Sequence, residues 1–183
     1  MKKCLFFLSF LLLTSCAAQD GEQAARAIAA RWKDAGAVTV TASITAEFSD
    51  RAADYRVQFA GNRSGGKVTA IAPESIAGIC AQVGGDGTTL SFDGTVMETG
   101  VTNEDGVTPM NALPKLCAVW SGGNAAQLGA EKHEGTDAWL LVYRDAMMEY
   151  RTWFSRADLS PLAAEVLHDD RVILRIKYET CEM

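Results

Sequence analysis

The chain has 183 residues, a formal net charge of −6 and a hydrophobic share of 48%, which makes it one ordinary domain in size, long enough to bury a core without a framework of disulfides. The acidic balance deepens once Lys2 and Lys3 are removed with a leader. It argues against a nucleic-acid binder and against a basic patch that hugs anionic lipid.

The N-terminus carries the most specific signal. Lys2 and Lys3 precede an apolar run from Leu5 to Leu13 that only Ser9 interrupts, followed by Leu13-Thr14-Ser15-Cys16. A charged start, a short apolar stretch and small residues before a cut make a secretory signal peptide. The run is too short for a spanning helix, which needs roughly 20 apolar residues. Leu13-Thr14-Ser15-Cys16 resembles a bacterial lipobox, whose thiol takes a diacylglyceryl group before cleavage. Residues 1–15 are therefore expected to be a lipoprotein signal peptide, and 16–183 a single mature domain. Cys16 is the expected lipidation site, carrying palmitate-type acyl chains. Two or more chains hold a protein firmly to a bilayer, whereas one does so marginally. The expected location is the extracytoplasmic side of the cell membrane. If the cell has two membranes, resemblance to the lipoproteins of such cells implies the outer one, since Ala17 and not Asp follows Cys16.

Elements follow in chain order. Asp20 to Asp34 reads as a helix, with Asp20 as cap, Gln23 at the capping-box position, and Ile28 and Trp32 on one face. Val38, Val40, Ala42, Ile44, Ala46 and Phe48 alternate with Thr39, Thr41, Ser43, Thr45 and Glu47, a strand with one apolar and one hydroxyl-rich face. Tyr55, Val57 and Phe59 mark a second strand, and Lys67 to Ala72 a third. Ile79 to Val83 and Thr88 to Phe92 follow, flanking Gly84-Gly85-Asp86-Gly87. Asp93-Gly94 is a hairpin signal before a short strand, Val96 to Glu98. Thr108-Pro109 reads as a helix start, with Met110, Leu113, Leu116, Cys117 and Trp120 on its apolar face and Pro114 expected to split it. Gln127 to Glu131, Ala138 to Arg144, Glu149 to Phe154 and Leu162 to Leu167 read as strands. A turn at His168-Asp169-Asp170-Arg171 leads to a last one through Val172, Leu174, Ile176 and Tyr178. Short connections require antiparallel neighbours, and a twisted sheet of this many strands curls. The expected fold is α+β: a curved antiparallel half-barrel with helices covering its concave face.

The chemistry-bearing residues do not assemble a catalyst. There is no Gly-x-Ser-x-Gly elbow, no His-Glu-x-x-His and no phosphate loop. His133 and His168 fall in expected turns, and Asp169-Asp170 reads as a solvated pair. Cys80, Cys117 and Cys181 lack metal-ligand spacing. Cys80 and Cys117 fit a strand and a helix as core residues, and Cys181 is the expected free or intermolecular thiol. No cofactor, no metal and no enzymatic activity are expected.

Several segments resemble the LolA/LolB-like lipoprotein-carrier superfamily. These are Ala72-Pro73-Glu74-Ser75-Ile76-Ala77-Gly78-Ile79, Leu90-Ser91-Phe92-Asp93-Gly94, and an ending that runs from Trp153-Phe154-Ser155-Arg156 through Ser160-Pro161-Leu162 and Ala164-Glu165-Val166 to Val172-Ile173-Leu174. The resemblance implies an unclosed half-barrel whose helices lid an apolar cavity. It also extends to anchored relatives, including germination lipoproteins of the GerS type, mycobacterial lipid-binding lipoproteins and envelope-stress sensor domains. The function it implies is binding of a lipid or lipoprotein acyl chain in the cell envelope. Expected lining residues are Val40, Ile44, Phe48, Val57, Phe59, Leu90, Phe92, Trp120, Trp139 and Trp153, with Arg56 the best-placed arginine to gate a ligand. The alternative is an anchored scaffold that holds an envelope protein partner and no ligand. Expected partners are thus the membrane, through the lipidated Cys16, and a lipid or an envelope protein.

Overall fold

The computed structural model describes residues 14–84, 87–92, 95–98, 106–145 and 147–183. Helix α1 spans Thr14–Asp34. Six strands follow: β1 (Val38–Glu47), β2 (Ala52–Asn62), β3 (Gly65–Ala72), β4 (Cys80–Gly84), β5 (Gly87–Phe92) and β6 (Thr95–Glu98). Helix α2 covers Ala112–Gly122. The chain ends in β7 (Gln127–His133), β8 (Thr136–Asp145), β9 (Met148–Ser155), β10 (Pro161–His168) and β11 (Arg171–Glu182).

Among the described residues, all eleven strands form one sheet in the order β6-β5-β4-β3-β2-β1-β11-β10-β9-β8-β7, with antiparallel pairing throughout. It is two meanders. The first runs outward from β1, the second returns inward to β11, and the first and last strands zip together at the centre. β6 and β7 are the edges, and the expected α+β half-barrel is the observed architecture.

Sequence alternation explains which face the helices cover. Val40, Ala42 and Ile44 on β1 are fully buried, as are Val57 and Phe59 on β2 and Val68 on β3. In register with them across β11, β10 and β9 lie Ile176, Ala164 and Thr152, and Tyr150 and Phe154 share the same face of β9. Small residues on this face, Ala42, Ala81 and Ala164, leave room for the helices. Each fully buried Leu, Ile or Phe contributes roughly 1.5–3 kcal/mol of transfer free energy.

Helices α1 and α2 lie on this apolar face and against each other, α1 nearer β7 and β8, α2 nearer β2. Their contact centres on Trp120. Its ring sits 4.6 Å from Trp32, 5.2 Å from Phe154 and 5.9 Å from Tyr178, edge-on to the first two. Its indole Nε1–H donates to Thr152 Oγ1 at 3.0 Å, so the buried donor is satisfied. α2 stops at Gly123, whose φ of +73° is a left-handed cap, and a side chain there would also press on Ala29 of α1.

The opposite face is polar. A row of alternating charge crosses five strands: Arg144 (β8), Glu149 and Arg151 (β9), Glu165 (β10), Arg175 (β11) and Glu47 (β1). The β7–β8 hairpin reaches back over this face, where Glu134 accepts a hydrogen bond from Lys177 of β11 at 2.7 Å.

Some local expectations change. α1 begins at Thr14, so Asp20 and Gln23 lie inside the helix and do not cap it; Ala17 and Ala18, strong helix formers, extend it backward. Thr108 and Asn111 close a separate turn, with Asn111 N–H and Ala112 N–H donating to Thr108 O. α2 starts only at Ala112, and Pro114 sits in its first turn, where the missing N–H has no helical partner to lose. His133 is not a turn residue but the last of β7, stacked on Trp153 at 4.7 Å. His168 likewise ends β10. The turn signals at Gly85-Asp86 and Asp93-Gly94 and the signal-peptide residues before Thr14 lie outside the described residues.

Candidate functional site

The sheet's open side and the helix α1 frame the roomiest cleft among those described. Gly21, in the first half of α1, is buried, and a Cβ there would lie 2.7 Å from Leu128 Cδ2 on β7. The absent side chain brings the helix close to the edge strand. A glycine inside a helix costs about 1 kcal/mol relative to alanine, so its presence signals such a close approach. Below this contact, Ala25, Leu128, Ala130 and Trp139 line a cleft of about 590 Å³ between α1 and β7. That volume is within the roughly 300–1,000 Å³ of small-molecule sites. Trp139 is nearly buried, and the Arg156 guanidinium lies 4.5 Å from its ring centroid, a cation–π contact that holds the indole in place. The rim carries an exposed Glu22–Arg26 pair at 3.5 Å.

A second hollow, of about 410 Å³, opens near Pro73 and is lined by Ser43, Thr45, Asp54 and Arg56. Its polar groups are already committed. Thr45 donates to Asp54 at 2.7 Å, while Arg56 and Ser43 both donate to Glu179. Arg56 is therefore not aimed into the helix-covered core. Its hydrogen bonds to Glu179 hold that carboxylate below the usual range.

The residues expected to line a cavity do not share one. Val40, Ile44, Val57 and Phe59 on the concave face, and Trp120 of the covering helix α2, are closed into the core, each no more than 1% exposed. Trp139 alone among the expected residues borders the cleft, and Leu90 is half-buried at the β5 end of the core. Phe48 and Phe92 are exposed at 46% and 55%. Phe48 follows the end of β1 and packs under Arg51, and Phe92 ends β5. Trp153 points to the polar face. It shares that side of β9 with Glu149 and Arg151, stacks on His133 and donates its indole N–H to Glu131. Gly21, Leu128 and Ala130 were not foreseen. Leu128 and Ala130 lie on a short edge strand with no sustained apolar alternation, and the interior glycine of α1 was the available signal.

Buried phenols complete the electrostatics under the helices. Burial pushes Tyr143 and Tyr178 well up from the ordinary tyrosine range, and Tyr150 to about 12. Trp32 Nε1, Tyr150 OH and Tyr178 OH are buried with no partner among the described residues. No described helix is long and apolar enough to cross a membrane.

Comparison with solved structures settles the fold. A Vibrio parahaemolyticus domain whose name assigns it to outer-membrane lipoprotein sorting matches over 90% of this chain and 92% of its own, at a TM-score of 0.53 and 12% identity. The chain has the LolA/LolB-like fold. The half-barrel is also similar to a conserved protein from Thermus thermophilus (TM-score 0.52, 13% identity, 86% of each chain) and to a DUF1329-family protein from Desulfovibrio piger (TM-score 0.51, 8% identity, 91% and 92%). No family model and no curated relative matches this chain by sequence.

Proposed function

We propose that this chain is a lipoprotein anchored through Cys16, whose half-barrel holds an acyl chain of a lipid or lipoprotein in the cleft between α1 and β7. The cleft itself carries the reading: it is roomy, floored by Leu128 and the pinned Trp139, and bounded by small residues on both walls. The LolA/LolB-like fold, shared with a domain named for lipoprotein sorting, supports it. So does the run of α1. Cys16 lies five residues before Gly21 on the same helix, about 8 Å at 1.5 Å per residue, which keeps the cleft close to the bilayer. An anchored domain with no slack between lipid and fold suits local capture and not ferrying between membranes.

The closed centre of the half-barrel favours a second reading. Val40, Ile44, Val57, Phe59 and Trp120 leave no exposed apolar floor there, as a scaffold that binds an envelope protein and no ligand would have. Titration of delipidated protein with a fluorescent fatty acid separates the two. The carrier reading predicts saturable uptake that Ala130→Trp, an exposed residue in the cleft, weakens at least tenfold. Uptake that is absent, or unchanged by the plug, contradicts it. The anchor has its own test: cells fed a clickable palmitate should label the wild type and not Cys16→Ser.

A further inference from the structure

Cys80, Cys117 and Cys181 are free thiols. Two of them lie on facing surfaces beneath the helices, and a break in strand register puts them there. Unbroken alternation along β11 would place Cys181 on the polar side, opposite to Tyr178. A bulge intervenes: Ala42 pairs with Tyr178 but Thr41 pairs with Thr180, which leaves Glu179 as the extra residue. Glu179 turns outward to Ser43 and Arg56. Cys181 pairs with Val40, a core-facing residue, and turns inward, half-buried against the core.

α2 supplies the other half. Cys117 and Trp120 are three residues apart and both buried, so they share one helix face. Trp120 packs on Tyr178. One turn back along α2 stands Cys117, and one inward position ahead along β11 stands Cys181, the next rung beside the aromatic pair. The titration of these groups reflects the same cluster: burial and then Cys181 push the Cys117 thiol up, and burial followed by Cys117 and Cys181 push Tyr178 up. Cys80 is no rival. It lies on the other face of the sheet, with its sulfur against Thr69 Oγ1 at 3.6 Å.

We propose that Cys117 and Cys181 close into a disulfide when the domain enters an oxidising compartment, pinning α2 to β11. The proposal rests on the export reading above, since such bonds persist outside the cytosol. Cys181 reacts first, being the more accessible of the two, although burial raises its thiol and Arg31 offsets that only in part. The thiolate, its proton gone to water, attacks a disulfide oxidant of the thioredoxin-like or glutathione class. One sulfur of the oxidant leaves as a thiolate and a mixed disulfide remains. Cys117 then loses its proton, attacks Cys181 Sγ and expels the second oxidant sulfur. Two protein thiols are oxidised and one oxidant disulfide is reduced. Closure needs a Cα separation of about 4.4–6.8 Å. The cleft between α1 and β7 stays free.

The test uses the full chain in detergent, equilibrated with oxidised glutathione, alkylated under denaturing conditions and digested with trypsin. The expected product joins the peptides of residues 116–132 and 178–183 with the loss of two hydrogens, while Cys80 stays alkylated. Reductant should lower the melting temperature by roughly 5–10 °C. Cys117→Ser should convert Cys181 to a glutathione adduct, and Cys80→Ala should leave the joined peptide intact. Two alkylated thiols, a glutathione adduct at Cys181 in the wild type, or a bond to Cys80 would overturn the pairing. A bond that forms in glutathione but is missing from acid-quenched cells overturns the export reading instead.

Discussion

Trp120 shows how much one buried polar atom decides. Its ring joins both helices to β9 and β11, and its N–H has one acceptor, Thr152 Oγ1, on a fully buried residue. Thr152→Val keeps the volume but leaves the indole donor unpaired, which should cost about 1–3 kcal/mol. Thr152→Ser keeps the hydroxyl and should cost about 1 kcal/mol, the worth of a buried methyl. Urea midpoints of the two variants check this, and a Thr152→Val protein as stable as the wild type would mean that the hydrogen bond contributes nothing. At this scale the sequence was partly legible. Alternation correctly placed Val40, Ile44, Val57 and Phe59 on the covered face. Trp153, expected in the cavity, lies on the polar face, and its parity with Glu149 and Arg151 on β9 is the local signal of that. Arg56 and the exposed Phe92 depend on where a partner strand ends or a carboxylate reaches across, and no local pattern records that.

Among the elements, the β10–β11 hairpin gives a clean test of turn chemistry. Asp169 and Asp170 both hold positive φ, 48° and 62°, the combination that a two-residue turn of the type I′ class requires. Aspartate tolerates this region less well than asparagine or glycine do. Replacing the pair by Asn-Gly should therefore stabilise the domain by about 0.5–1 kcal/mol, raising its melting temperature by roughly 1–4 °C. A lower melting temperature would show that the two carboxylates do something besides turn the chain. Strands of long alternation were legible nearly to their ends, since a period of two identifies itself within one segment. The start of α1, the separate turn before α2 and the bulge at Glu179 were not. The first two depend on competing backbone partners, and the bulge exists only because β1 and β11 meet from opposite ends of the sequence.

For the whole molecule, pH links the two faces of the sheet. On the polar face and its rims, Glu134 is held low by its hydrogen bond from Lys177, and Glu179 by those from Arg56 and Ser43. Burial raises Glu149, but Arg144 and Arg151 outweigh it. The Ser155 and Ser160 hydroxyls lower Asp158. A carboxylate whose folded value lies below its unfolded value stabilises the fold above about pH 4 and loses that contribution as pH falls through the folded value. The buried tyrosines behave oppositely. Tyr143, Tyr150 and Tyr178 are raised, so their contribution is complete below about pH 10 and is lost as pH rises through their folded values. Melting temperature should be flat between roughly pH 5 and 9 and fall on both sides. A maximum near pH 3, or indifference to pH 11, would contradict the assigned environments.

Photocrosslinking reads directly whether the cleft between α1 and β7 holds an acyl chain. Cells fed a fatty acid bearing a diazirine are irradiated, the protein is purified, and the labelled residues are mapped by mass spectrometry. Labels are expected on residues 21–26 of α1, residues 127–130 of β7 and Trp139, all lost in Ala130→Trp. Labels confined to the polar face, or none beyond the lipid carried on Cys16 itself, would contradict it.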